Sequence, residues 1–158
     1  MTPEDLPRSE FDELIGIRNV EIGPDRCVSL TELRSDLHQP FGVVHGGVYA
    51  AIVESLASIG ANAWLSVSSG LRGGLRAVGV SNHTDFLRSA RAGELRAEAT
   101  PIQRGRTFQL WAVAVTDGNG RLCAHGKVRL ANLTTGVGTL EGGVAESPAK
   151  APQDVSPL

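Results

Sequence analysis

Cysteine is nearly absent from this chain. Two thiols in 158 residues, Cys27 and Cys123, cannot build a disulfide framework. There is no CxxC pair and no cysteine–histidine cluster, so the sequence indicates no metal site. An excess of positive charge is also missing. The 15 Lys and Arg stand against 17 Asp and Glu, a net charge of −2, which removes the electrostatic footprint of a nucleic-acid binder. Residues 1–10 are acidic and polar and lack the basic start and apolar stretch of a secretory signal, so the expected location is cytoplasmic. The most informative absence lies further on. From Gly46 to Leu71 the chain carries one charged residue, Glu54.

Around Glu54 runs an apolar segment: Val48, Tyr49, Ala50, Ala51, Ile52 and Val53 before it, then Leu56, Ala57, Ile59, Ala61, Ala63, Trp64 and Leu65. It reads as a helix over about 47–65. A helix apolar on nearly all sides is a buried helix. Residues 43–67 are long enough to span a bilayer. However, Glu54, Asn62 and several Ser and Gly interrupt them, and they lack basic flanks. The reading is a core helix, with no membrane partner. A lone carboxylate inside such a helix must be paired, protonated or in use. Just before it, Gly46–Gly47 opens the helix, where free backbone N–H groups can face a substrate oxygen. An acid and an oxyanion-stabilising helix end outline an acyl-transfer site. Burial would raise the acid's pKa and a nearby helix N-terminus would lower it; the sequence leaves that balance open.

The rest of the chain reads as follows. Ser9 and Asp12 form a capping-box variant opening a short helix that ends near Gly16. Residues 18–22 and 27–33 read as strands around the Gly23–Pro24–Asp25 turn. Pro40 and Gly42 break 35–44 into a loop, and 66–74, rich in Ser and Gly, is a second loop. Four β-rich runs follow: 75–87, 95–103, 107–116 and 122–133. The run 107–116 is apolar on both faces, as a central strand is. The turn Asp117–Gly118–Asn119–Gly120 predicts that the last two runs are antiparallel neighbours, and Ala92–Gly93 separates the first two in the same way. The expected domain is 10–134, preceded by a tail over 1–9. Residues 135–158, rich in Gly, Pro, Ala and Ser, form an expected disordered tail. One helix that is apolar all round needs a sheet wrapped around it and a second subunit to close the remainder. Trp64 and Trp111 read as core or interface aromatics.

Charge is unevenly placed. Residues 1–36 hold nine acids and four Arg. Residues 72–106 hold seven Arg against Asp85, Glu94 and Glu98. A local arginine excess in a near-neutral protein suits a phosphorylated small ligand, although each arginine taken singly also fits a solvated face.

The string Gln39–Pro40–Phe41–Gly42–x–x–His45–Gly46–Gly47, followed by Glu54 and Ser58, resembles the hotdog-fold thioesterases. The likeness is to the Arthrobacter-type 4-hydroxybenzoyl-CoA thioesterases, the PaaI-like group, and the enterobacterial aryl- and 1,4-dihydroxy-2-naphthoyl-CoA thioesterases. Arg88–Ser89–Ala90–Arg91–Ala92–Gly93 and Gly120–Arg121–Leu122–Cys123 resemble the last of these, and the likeness covers about 10–133. It implies an α+β hotdog fold, an antiparallel sheet around one long helix. It also implies an acyl-CoA thioesterase needing no cofactor, CoA being part of the substrate.

In that resemblance Glu54 is the catalytic carboxylate, as nucleophile or as base for water. The Gly46 backbone N–H polarises the thioester carbonyl. Gln39 assists at the thioester or orients water, His45 is the motif histidine beside the site, and Ser58 holds the water or the carboxylate. The Gln39–Gly46 loop and Glu54 come from opposite subunits of a homodimer, usually doubled to a homotetramer. Arg88 and Arg91 are candidates for the CoA phosphates. One departure stands out. The aryl-CoA relatives carry a histidine where this chain has Phe86, and His83, three residues earlier, falls on the other face of the strand; the histidine's role does not pass to His83.

Each residue also has a structural reading. Glu54 could be bonded to a buried hydroxyl, and Gly46–Gly47 could be only a tight turn. His45, Ser58 and Gln39 could serve packing or loop geometry. The alternative function is a hotdog module that binds acyl-CoA without turnover, and a buried charge at Glu54 argues against it. A hotdog dehydratase is the enzyme rival; its acid lies in a different loop context.

Overall fold

The computed structural model describes residues 9–68 and 74–134; the expected tail at 135–158 and residues 1–8 lie outside the described residues. Ser9 caps α1 (Glu10–Ile15), its hydroxyl accepting from the Asp12 N–H at 3.2 Å, and Gly16 ends it at φ 83°. Strands β1 (Ile17–Ile22) and β2 (Cys27–Glu32) follow. A single 3-10 turn, Ser35–Leu37, and a bridge between His38 and Val44 shape the next loop. Then come α2 (Gly46–Ser68), β3 (Leu75–Phe86), β4 (Glu94–Arg104), β5 (Phe108–Thr116) and β6 (Leu122–Thr134). The long helix runs three residues past the expected end. Ser66 helps it on, its hydroxyl donating back to the Ala63 carbonyl at 2.7 Å.

The six strands form one antiparallel sheet in the order β1-β2-β4-β5-β6-β3. The hairpin at 117–120 joins β5 to β6 as expected. The first two of the four later runs, however, are not neighbours. β3 pairs with β6 at the far edge, while β4 pairs with β2 and β5. The segment after β3 is therefore a crossover and not a hairpin. Its backbone is tied across the molecule: Leu87 and Arg88 N–H donate to the Cys123 carbonyl, Ala90 O accepts from Val44, and Gly93 O accepts from Leu33. Local turn residues cannot reveal such ties.

α2 lies across the inner face of the sheet. Ile52, Val53, Leu56, Ala57 and Ala61 on the helix meet Leu95, Ala97, Ala99, Trp111, Val113, Val115, Val128 and Leu130 from the strands. Trp111 is fully buried, and its indole N–H donates to Gln109 Oε1 at 3.0 Å. Gln109 in turn donates to Asn132 Oδ1 at 2.8 Å, so these two buried side chains are linked into one hydrogen-bonded chain. Trp64 lies at the margin under the Arg104 guanidinium, 5.7 Å from its ring centroid. The helix can seat this deeply because Gly60 faces Trp111, where a Cβ would come within 2.5 Å of the indole.

Gly60→Ala therefore sets two effects against each other. Helix propensity favours alanine by about 1 kcal/mol, whereas overpacking a rigid core costs about 1–3 kcal/mol. With the indole boxed in by buried neighbours, overpacking should win. Chemical denaturation should show a lower midpoint for the variant, and a higher one would mean that Trp111 can move aside.

Candidate active site

β3 runs alongside α2 in the opposite direction, and side chains fix its place. The Asn62 amide straddles the Ala77 peptide, accepting from its N–H at 3.0 Å and donating to its carbonyl at 3.1 Å. Two turns back along the helix, Gly79 passes Glu54 so closely that a Cβ there would collide with the carboxylate. Further along, the Asn82 amide donates to the Ala50 carbonyl at 3.0 Å. At the helix start, Phe86 lies against Gly46. The inward face of β3 thus reads Ala77, Gly79, Asn82, Thr84, Phe86, with a bulge between Gly79 and Ser81. His83 points to the outer face, where it meets Asp85 at 3.5 Å, as strand alternation requires.

Glu54 is half-buried. The Ser58 hydroxyl, one turn on, donates to its Oε1 at 3.4 Å. Burial pushes its pKa above the usual glutamate range, and donation from Ser58 and Asn82 draws it back in part. No cation contributes to that balance. Asn82 was not singled out from the sequence, because an asparagine in a strand reads as an ordinary exposed position. Here its orientation is fixed: the Thr84 hydroxyl donates to Oδ1 at 2.7 Å, so the NH2 group must face the helix.

The other half of the candidate set lies at the helix entry. His45 caps the helix, its Nδ1 accepting from the Gly47 N–H at 2.8 Å, which leaves the ring proton on Nε2. The Gly46 N–H has no acceptor among the described residues. Neither Gly46 nor Gly47 has a positive φ. They are required for space: a Cβ on Gly46 would meet the Phe86 ring at 2.9 Å, and one on Gly47 would meet His45 Nδ1 at 2.9 Å. Gln39 shapes the preceding turn. Its Oε1 accepts from the Phe41 N–H at 3.0 Å, its backbone carbonyl accepts from Gly42, and Gly42 adopts φ 72°. Its NH2 group has no acceptor among the described residues.

α2 is continuous from Gly46 to Ser68. Eight residues at about 1.5 Å each separate Gly46 from Glu54 by about 12 Å along the axis. One chain does not bring the donor and the acid to a common atom. Glu54 gathers with Ser58 and Asn82, while Gln39, His45 and Gly46 gather at the other end.

Of the two candidate arginines, Arg91 donates to the Gly42 carbonyl at 3.4 Å and lines a surface cavity of about 480 Å³ with Ser89, Asn119 and Arg121. Arg121 is bound to Asp117 at 2.7 Å. Arg88 is exposed; its carbonyl accepts from the Tyr49 hydroxyl at 3.3 Å. No group of three or more His, Cys, Asp or Glu able to hold a metal occurs among the described residues.

Residues 41–124 match the profile of a family described as the thioesterase superfamily. A Mycobacterium tuberculosis protein carrying the provisional name esterase is 48% identical over 123 residues, 78% of this chain and 86% of its own. Its solved structure superposes with a TM-score of 0.75 over 80% of this chain and 98% of that one. The 1,4-dihydroxy-2-naphthoyl-CoA hydrolase of Escherichia coli is 31% identical over 75% of this chain and 83% of its own. A proofreading thioesterase of Cronobacter turicensis is 30% identical over 75% of this chain and 82% of its own.

The raised pKa of Glu54 has a consequence for stability. Ionising this carboxyl costs the folded chain more than the unfolded one. Its contribution is therefore most favourable below the ordinary glutamate pKa of about 4.3 and is lost as pH rises through the elevated folded value. Glu54→Gln cannot ionise. Its stability relative to wild type should rise between about pH 4 and pH 7. A relative stability that falls over that interval would mean the carboxylate is stabilised by something other than its visible partners.

Proposed function

The chain belongs to the thioesterase superfamily and is a thioester hydrolase, and we propose that it cleaves acyl-CoA thioesters bearing an aryl or medium-sized acyl group, with Glu54 as the reacting carboxylate. The observation that carries this reading is Glu54 itself: a half-buried acid without a cation, held by Ser58 and Asn82 and kept near by the bare backbone of Gly79. A structural acid would gain from a charged partner; a reacting one gains from having none.

The Gly46 N–H donates to the thioester oxygen and stabilises the developing oxyanion, an effect worth about 10²–10³ in rate for one donor. Glu54 either removes a proton from water as it attacks the carbonyl carbon, or attacks that carbon itself to give an anhydride that water then opens. In both routes the carbon–sulfur bond breaks, CoA leaves as the thiolate and takes up a proton, and the acyl group leaves as the free acid. The Gln39 NH2 group orients the thioester or the water. His45 holds the helix start that presents the donor, and Ser58 holds the carboxylate.

The separation of about 12 Å along α2 supports a site whose donor and acid come from different copies of the chain, in a homodimer or homotetramer. Two further features support this. β3 is a 12-residue strand at the sheet edge with Val78 and Val80 exposed, and long bare edges are normally covered. Val48, Ala51, Ile59 and Trp64 on α2 are only partly buried in a single chain. Arg88 and Arg91 lie on the crossover after β3 and are assigned to the CoA phosphates.

Glu54→Gln should fold, assemble and still bind acyl-CoA, while kcat falls by at least roughly 10²-fold. Mixing tests the division of the site. Gln39→Ala and Glu54→Gln proteins, each impaired alone, should recover about a quarter of wild-type activity when unfolded and refolded together, because half the dimers are mixed and one of their two sites is intact. No recovery, with mixed dimers shown to form, would return donor and acid to one chain.

The phosphate contact has its own signature. Arg88→Ala should raise KM more than it lowers kcat, since the contact holds ground and transition states alike. An unchanged KM would make Arg88 an ordinary surface charge.

A further inference from the structure

Between Gly79 and Ser81 the pairing of β3 with β6 shifts by one residue. Such a bulge re-aims the side chains beyond it. Asn82 and Thr84, rather than Ser81 and His83, therefore continue the inward row begun by Ala77 and Gly79. Asn82 arrives beside the turn of α2 that carries Glu54, and its amide has two protons to give. One goes to the Ala50 carbonyl at 3.0 Å, one helical turn before Glu54. The other serves the Glu54 carboxylate. The Thr84 hydroxyl decides which way the amide faces. It donates to Oδ1 at 2.7 Å, and a reversed amide would set Oδ1 against the Ala50 carbonyl oxygen. Thr84 is itself seated over bare backbone: a Cβ on Gly126, its partner in the ladder, would fall 2.8 Å from the hydroxyl oxygen.

We propose that Asn82, oriented by Thr84, is a positioning residue for the hydrolytic reaction: it clamps the Glu54 carboxylate to β3 and donates to its charged form. This rests on the reading of Glu54 as the reacting carboxylate. Burial is the largest influence on this acid, and donation to the ionised form offsets part of it. Ser58 gives similar help at 3.4 Å, but Ser58 sits on the acid's own helix and moves with it. Asn82 belongs to the strand, so it fixes the acid relative to the sheet. The charged groups nearby are otherwise placed. Asp12 of α1 accepts from the Ser55 hydroxyl at 2.7 Å. On β3, His83 and Asp85 meet each other on the outer face at 3.5 Å, and Arg76 is exposed beside the inward Ala77. In the proposed dimer, His45 of the second copy arrives with the Gly46 donor and is common to wild type and variants. A purely structural Asn82 would clip strand to helix, as Asn62 does at Ala77, and would leave the titration of Glu54 unchanged.

The test follows kcat/KM for benzoyl-CoA against pH, whose acid limb reports the Glu54 carboxyl of the free enzyme. Asn82→Leu keeps the size and loses the amide. It should move that limb upward by about one pH unit, a tenfold change in proton affinity, as the loss of a hydrogen bond to a charged group does. Thr84→Val should move the limb in the same direction by less, and Thr84→Ser, which keeps the hydroxyl, should retain the wild-type limb. A second readout needs no turnover. Between about pH 4 and pH 7, Glu54→Gln should gain more relative stability in the Asn82→Leu background than in wild type, because the carboxyl there is costlier to ionise. The Thr84→Val background carries the same comparison if the leucine variant does not fold. An acid limb and a stability difference that Asn82→Leu and Thr84→Val both leave unchanged overturn the inference, make Asn82 a clip like Asn62, and let the hydrolytic site stand. A Glu54→Gln protein with near wild-type turnover instead overturns the reading on which the proposal rests.

Discussion

Everything at the candidate site depends on how closely α2 and β3 approach each other, and that approach exists only where the chain has no side chain. At Gly79 the strand passes the Glu54 carboxylate as bare backbone, and at Gly46 the helix passes under the Phe86 ring in the same way. Gly126, on the neighbouring strand, leaves room for Val53 and Thr84. Asn62 then fixes the register with two hydrogen bonds to the Ala77 peptide. Packing at this density transmits position, so the inward row Gly79, Asn82, Thr84, Phe86 is laid against the helix residue by residue. An uncharged helix can carry one carboxylate because the strand beside it offers an open path and two donors in place of a wall of methyl groups.

The same rigid helix makes the site incomplete in one chain. A straight α-helix cannot fold its start back onto its eighth residue; the spacing of about 12 Å is set by the peptide geometry. The chain therefore holds two separate candidate groups, one with unengaged donors at Gln39 and Gly46 and one built around an acceptor at Glu54. In the proposed dimer, two copies arranged antiparallel across the β3 edge would bring unlike halves together twice, as a two-fold axis does with any pair of complementary patches. Under the proposed assembly, the apolar flank of α2, only partly covered by its own sheet, would be closed by the same contact.

The sequence was a good guide wherever the signal was local. The capping of α1 by Ser9, the hairpin at 117–120 and the buried character of α2 follow from residue types within a few positions of one another. So does the outward turn of His83, which strand alternation alone predicts. The two halves of the candidate site were legible as an acid in an apolar run and a Gly-Gly helix entry. Three things were not. The crossover after β3 looks like a turn, because Ala92–Gly93 is compatible with one and the ties to Cys123, Val44 and Leu33 are long-range. Asn82 carries no local mark of its role, since what matters is the Thr84 hydroxyl that orients it and the helix it faces. The reason for Gly46 was also hidden: its φ is ordinary, and the need for glycine comes from an aromatic ring forty residues away.

The helix-start donor and the mid-helix acid belong to α2 and are fixed by its geometry, so they tolerate little change. The strand end beside the donor is under no such constraint. It faces inward because of strand alternation, it reaches the donor because β3 is twelve residues long, and it stays exposed because it lies at the sheet edge. The Phe86 side chain adds little to the core, since more than half of its surface is free. The buried helix thus carries the candidate donor and acid, the exposed end of the neighbouring strand lies beside the donor, and the glycine at 46 is the point where the two meet.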